Sequence, residues 1–282
     1  MKVIVFSNHK GGAAKTTSAL NVAVVLAAQG SRVLAVDLDP QGNLSVTLGA
    51  DLEELEINRR TSHRMMLEQN VDISNYMKRA RPRLDFIPAC IDYDAEGLIE
   101  TYRVSRELLL RNRLLEVGKA YDYCIIDTPP SLHAPTLNAL AMSDMTVIPV
   151  DSSSYALVGL RQMLRMVTAV RRAHAPKMMF MGLSTKYKPR GVLDRSVREQ
   201  LGIIFKTNLF ETWIPDAAAV EKATAIGKSV FETEIASPAA MAFFNLCNEI
   251  RERFNHEKVG PETIASEAQI PGQAVNDTGT KA

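Results

Sequence analysis

Short apolar runs alternate with amphipathic segments from the third residue to about residue 255. Residues 3–6, 32–37, 84–88, 121–127, 145–150, 178–183 and 210–214 read as strands. The unbroken apolar character of the first two fits strands buried on both faces. Residues 18–29, 97–117, 137–142, 155–173, 196–201 and 217–226 carry helical character, and residues 51–83 are helical in tone and lack glycine. The stretch 155–173 has Leu157, Leu160, Leu164 and Val167 at helical spacing, with Arg161, Arg165 and Arg172 off that stripe. Ser237-Pro238 opens a last helix that runs to about Asn255. This alternation predicts an α/β fold: one doubly wound, mainly parallel sheet with helices on both faces, spanning residues 1–258. Residues 259–282 contain Gly260-Pro261 and Pro271-Gly272 and show no apolar period, which predicts a disordered tail.

Composition changes this picture little. With 282 residues, 46% hydrophobic and 23% charged, the chain can bury a substantial core as an ordinary globular protein. No apolar run reaches the length of about 18 residues expected of a spanning helix, and the apolar start is too short for a secretory signal. Cys90, Cys124 and Cys247 lack metal-like spacing and read as reduced, mostly buried thiols of a cytosolic protein. The five histidines form no close pair. Net charge is only +1, yet residues 161–198 hold ten Lys or Arg against one acid, Asp194. That run fits either a solvated set of helix faces or a local surface for a polyanion.

The most informative chemistry lies at residues 8–17, Asn-His-Lys-Gly-Gly-Ala-Ala-Lys-Thr-Thr, between the first strand and the first helix. A glycine-bearing loop in that position can converge backbone N–H groups on a phosphate at a helix N-terminus. The ordinary pattern G-x-x-x-x-G-K-[ST] fails at both glycines, where His9 and Ala14 stand; K-G-G-x-x-K-T fits, with Lys10 ahead of the glycines. Two strands end in acids: residues 32–37 lead into Asp37-Leu38-Asp39-Pro40-Gln41-Gly42-Asn43, and residues 121–127 into Asp127-Thr128-Pro129-Pro130. Strand C-termini are where open parallel sheets bind ligands. A strand-terminal aspartate beside a phosphate loop suits magnesium held through water. For the Asp37/Asp39 pair, turn chemistry is the competing explanation.

In this order the blocks 10–17, 33–43 and 121–132 resemble the ParA/Soj branch of the ParA/MinD family of deviant P-loop ATPases, which partition DNA. Asn138–Leu140, Val147–Val150, Tyr155-Ala156-Leu157, Ile214-Pro215 and Gly227-Lys228 extend the resemblance across residues 1–255. It implies ATP and Mg2+ as ligands, an ATP-dependent sandwich homodimer, and non-specific double-stranded DNA as partner. It also implies slow hydrolysis, a ParB-like centromere-binding partner, chromosome or plasmid segregation, and a cytoplasmic, nucleoid-associated location without membrane docking. By position, the amides of Gly11, Gly12, Ala13 and Ala14 would wrap the phosphates. Lys15 would meet the β- and γ-phosphates, Thr16 would ligate Mg2+ with Asp127, Thr17 would reach the α-phosphate, and Pro215 would border the nucleotide. Lys10 would cross the dimer interface to the partner's ATP, and Asp39 would position the attacking water, so Lys10, Lys15 and Asp39 form the implied catalytic set.

For DNA, Arg190 matches a basic family position. Lys186, Lys188, Arg195 and Arg198 flank it, and Lys222 lies one turn from a second position occupied here by Asp216 and Ala219. Another departure is Ala14 where the family carries glycine, costing on the order of 1 kcal/mol if its φ is positive. The same switch could instead position another cargo such as a carboxysome, or build a DNA-coating structure with vestigial hydrolysis. A MinD-like membrane protein would need a basic amphipathic C-terminal helix, whereas residues 259–282 contain only Lys281 as a basic residue. The first strand begins at Val3, which argues against a preceding operator-binding helix-turn-helix.

Overall fold

The computed structural model describes residues 1–68, 70–89, 99, 105–153 and 156–256. The expected tail at 259–282, residues 97–98 and 100–104 of the expected 97–117 helix, Tyr155 at the start of the expected 155–173 helix, and Cys90 lie outside them. Among the described residues, seven strands form one sheet: β1 (Lys2–Phe6), β2 (Val33–Asp37), β3 (Lys78–Arg81), β4 (Leu84–Ile87), β5 (Tyr123–Asp127), β6 (Met145–Asp151) and β7 (Met179–Thr185). Their order is β3-β4-β2-β5-β1-β6-β7. Every neighbouring pair is parallel except β3–β4.

Alternation along the strands feeds two apolar layers. On β1, Ile4 and Phe6 face one layer while Val3 and Val5 face the other; on β2, Val33 and Ala35 oppose Leu34 and Val36. The first layer is covered by α1 (Lys15–Ala28) and α11 (Pro238–His256), the second by α4 (Ser62–Leu67), α5 (Leu109–Val117), α6 (Ala134–Ala141), α7 (Ala156–Ala173) and α8 (Val192–Phe205). Helix α1 lies between the sheet and α11, so its apolar residues are buried nearly all round. Gly30, at φ +94°, ends it, with its N–H on the Ala27 carbonyl. Shorter helices among the described residues are α2 (Asn43–Thr47), α3 (Leu52–Asn58), α9 (Ala218–Ala225) and α10 (Val230–Thr233). Cys124 and Cys247 are buried, and burial pushes both thiols up in pKa. No helix among the described residues is long and apolar enough to cross a membrane.

Two expected elements differ. Residues 78–81 lie in the stretch expected to be helical, yet Lys-Arg-Ala-Arg forms the antiparallel edge strand, closed by a Pro82-Arg83 turn with Arg83 at φ 64°. An edge strand faced with charge carries no apolar alternation to reveal it. Residues 210–214 form no continuous ladder: Phe210 and Ile214 donate to the Gly182 and Ser184 carbonyls of β7, beside the bridges Gly182↔Leu209 and Tyr187↔Pro215, but the 211–212 backbone between them does not pair with β7. Side chains capture that backbone instead. Arg198 donates to the Phe210 and Glu211 carbonyls, and Glu249 accepts from the Glu211 and Thr212 N–H groups.

Candidate nucleotide-binding site

Because β2, β5, β1, β6 and β7 run parallel and adjacent, the loops after them emerge on one edge of the sheet. The β1–α1 loop is strapped there at three points. Asn8 Nδ2 donates to the Pro149 carbonyl at 2.6 Å, Asn8 Oδ1 accepts the Lys10 N–H, and Thr185 Oγ1 donates to the Ala13 carbonyl at 3.1 Å. Gly11 and Gly12 are exposed, and a Cβ built on either would meet nothing within 4 Å. The result is an open cradle at the N-terminus of a long helix whose first turn carries no acid, the setting in which backbone amides accept a phosphate. Gly12 has φ +76° and Ala14 has φ 65°, ψ 31°. The alanine therefore occupies the left-handed conformation that glycine adopts without strain.

Lys15 is buried, 6% exposed, with Nζ 3.4 Å from the Lys10 carbonyl. Burial lowers its pKa, against the attraction of the Asp127 and Asp39 charges. Asp37 and Asp127 are register partners at the ends of β2 and β5. Burial pushes Asp37 up to about 6, although the Ser45 hydroxyl and N–H and the Asp39 N–H all donate to it. These bonds make Asp37 the brace of the loop that carries Asp39. Burial also holds Asp127 well above the usual carboxylate range; the Asp37 charge adds to this, while the Thr16 hydroxyl and Lys15 oppose it. Neither Asp127 oxygen has a hydrogen bond of ordinary geometry. A buried carboxylate left so is costly unless a cation meets it. With the Thr16 hydroxyl alongside, the donor set fits a hard, oxygen-seeking ion such as Mg2+. Asp39 is 8% exposed, and its Oδ1 accepts the Gln41 N–H at 3.0 Å.

Lys10 is held within its own chain: Nζ lies 2.5 Å from Asp151 at the end of β6 and also donates to Ser153 Oγ. Pro215 is half-buried beside Tyr187, whose N–H meets the Ile214 carbonyl. Lys186, Lys188, Arg190 and Arg195 are exposed in and just after the loop that follows β7. Lys188 pairs with Asp216 at 2.8 Å, both well exposed. Lys222 is exposed on α9, downstream of Asp216. Arg198, expected on the DNA-facing set, instead turns inward: it donates to Ser184 Oγ as well as the two carbonyls above and lies over the Tyr187 ring. Its task is to brace the 210–211 backbone.

Sequence reasoning passed over Asn8, Asp151, Ser153 and Thr185. Asp151 follows an apolar strand as Asp37 and Asp127 do, which was its available signal; the other three carry none, since their partners are set by strand order.

Comparison with known proteins agrees with this geometry. A family profile described as AAA domain matches residues 1–180. The sporulation initiation inhibitor protein Soj of Bacillus subtilis is 36% identical over 254 residues, covering 88% of this chain and 98% of Soj. The chromosome partitioning protein ParA of Caulobacter vibrioides is 33% identical over 265 residues, covering 92% and 97%. A solved structure of cobyrinic acid a,c-diamide synthase from Mycobacterium smegmatis, with bound ATP analogue and magnesium, superposes with a TM-score of 0.76 at 29% identity, covering 93% of this chain and 97% of that one. With the phosphate loop, its two lysines and the strand-end aspartates on one edge, the chain belongs to the ParA/Soj family of P-loop ATPases, the ParA/MinD type of AAA domain.

Proposed function

We propose that this protein is an ATP-dependent, dimerising DNA-binding switch that hydrolyses ATP slowly and segregates DNA together with a ParB-like partner. The observation that carries the reading is the pairing of a buried Lys15 with a second lysine, Lys10, on the rim of the same phosphate cradle. Lys15 serves the nucleotide of its own chain. Lys10 serves the partner's, and to do so it exchanges Asp151 and Ser153 for the partner's phosphates.

The triphosphate lies over the amides of residues 11–14, with Lys15 against the β- and γ-oxygens and Thr17 toward the α-phosphate. Thr16 and Asp127 would hold magnesium, which would supply positive charge against the phosphate oxygens. With Oδ1 of Asp39 engaged by the Gln41 N–H, Oδ2 is the atom that orients water toward the γ-phosphorus. As water attacks, the bond to the β–γ bridging oxygen breaks; ADP departs, and the water proton leaves with phosphate. Positioning and charge supply the catalysis, as suits a slow switch. Lys186, Lys188, Arg190 and Arg195 contact DNA phosphates, giving salt-sensitive binding without sequence preference.

The test measures ATP–Mg2+ binding and sedimentation on the wild type, Lys15→Ala and Lys10→Ala. Wild type should bind ATP and dimerise. Lys15→Ala should lose nucleotide, and Lys10→Ala should bind nucleotide as a monomer. A wild type that fails to bind ATP–Mg2+ at millimolar concentration overturns the reading, and a Lys10→Ala dimer overturns the role of Lys10.

A further inference from the structure

Arg81, the last residue of β3, lies outside every motif above, yet its guanidinium gathers two segments distant in sequence. Nε donates to Glu232 Oε1 at 2.9 Å. Nη2 donates to the Gly227 carbonyl at 3.0 Å and the Thr47 carbonyl at 3.4 Å, and Nη1 to the Leu48 carbonyl at 3.4 Å. The side chain is 23% exposed and Glu232 is 25% exposed, so water screens the pair only in part.

Each segment leads back to the nucleotide. Thr47 and Leu48 close α2, the helix that starts directly after the Asp39 loop; its Ser45 braces Asp37. A five-residue helix has little stability of its own. Leu44 and Leu48 bury in the core and set its depth, while the Ser45 and Arg81 contacts fix its two ends. On the other side, Glu232 and Ser229 form the capping box of α10. The Val230 N–H of that helix meets Asn21 Oδ1 at 3.0 Å, and Asn21 Nδ2 donates to the Thr17 carbonyl at 2.8 Å. Residues 227–232 are thus tied to α1, which carries Lys15, Thr16 and Thr17.

We propose that Arg81 is a positioning residue for ATP hydrolysis: it clamps the C-terminus of α2 to the 227–232 segment, and so fixes the Asp39 loop relative to the phosphate-loop helix. The inference rests on the ATPase reading above. Arginine is needed because one planar fork must meet a carboxylate and carbonyls of two separate segments at once, which a lysine ammonium on a flexible stem cannot do.

The test uses the full chain as Arg81→Lys, Arg81→Met and Glu232→Gln, with amide exchange in the nucleotide-free protein and separate measurements of kcat and of the ATP–Mg2+ Kd. In Arg81→Lys, exchange over residues 43–48 should rise about tenfold while residues 15–28 stay protected. The kcat should fall about tenfold with Kd within about twofold, because water positioning is lost and the phosphate cradle is kept. Arg81→Met should match or exceed these changes, and Glu232→Gln, which removes one contact, should fall between. If an Arg81 variant does not fold, Glu232→Gln carries the test. Folded variants with wild-type kcat, or with kcat and Kd impaired in the same proportion, overturn the proposal. Absence of turnover in the wild type overturns the ATPase reading instead, and unchanged exchange in α2 then overturns the clamp itself.

Discussion

At the scale of single residues, Ala14 and Asp127 each cost the fold stability. Ala14 adopts a left-handed conformation, φ 65°, in which its Cβ crowds the backbone. Ala14→Gly should therefore gain roughly 1 kcal/mol, seen as a melting temperature about 2–4 °C higher, with ATP affinity kept or improved; a lower melting temperature would contradict the strain. Asp127 is buried beside Asp37, and neither of its oxygens has a hydrogen bond of ordinary geometry. Asp127→Asn should raise the melting temperature of the nucleotide-free protein by about 2–4 °C. It should also abolish the extra stabilisation that magnesium adds to ATP. An unchanged melting temperature would contradict that cost. For Asp37 the sign follows from linkage: its folded pKa of about 6 lies above the unfolded 3.8, so the native state binds the extra proton between them. Its contribution to the stability of the nucleotide-free protein accordingly falls as pH rises through that window and levels off above it. The places of Lys10 and Lys15 in the loop before α1, and of Asp39 and Asp127 at strand ends, were legible from the apolar runs beside them. Asn8 and Thr185 were not, because they act on Pro149 and Ala13, positions 141 and 172 residues away.

At the scale of elements, strands buried on both faces announced themselves as apolar runs, and β1, β2, β5, β6 and β7 fall where those runs lie. The failures have physical causes. β3 is charged because it is an edge strand, and residues 210–214 read as a strand until Arg198 and Glu249 claim their backbone. Helix α1 begins at Lys15, three residues before its apolar pattern starts, because the phosphate loop feeds straight into it. The segment after β7 and the start of α8 divide the basic run by task. Arg190 is exposed, while Arg198 spends its donors inside the protein. Arg190→Ala should weaken binding to a random-sequence duplex, flatten its salt dependence and leave ATP turnover and stability unchanged. Arg198→Ala should instead cost about 2–3 kcal/mol of stability by orphaning its acceptors. Equal loss of DNA affinity from the two variants at full folding would return Arg198 to the DNA surface. The Lys188–Asp216 pair is exposed on both sides and worth about 0–1 kcal/mol, so it yields to a phosphate at little cost.

At the scale of the whole molecule, strand order does the assembling. Five parallel neighbours bring the phosphate loop, the Asp37–Asp39 loop, Asp127, Asp151 and the basic segment after β7 to one edge. The fold class was legible, and with it the edge on which the candidate site gathers, since a strand-end motif in a parallel sheet specifies its own neighbours. Lys10 gives the site its second half: bound to Asp151 in the single chain, it has its proposed target in another copy. In the proposed cycle, ATP joins two copies on DNA and hydrolysis parts them. The most direct measurement is sedimentation velocity of Asp39→Ala with ATP, Mg2+ and a random-sequence duplex, followed after excess competitor DNA is added. The expected species is a dimer that stays on the duplex, because ATP is bound and water is no longer positioned; a monomer that releases DNA as the wild type does would contradict the proposed cycle.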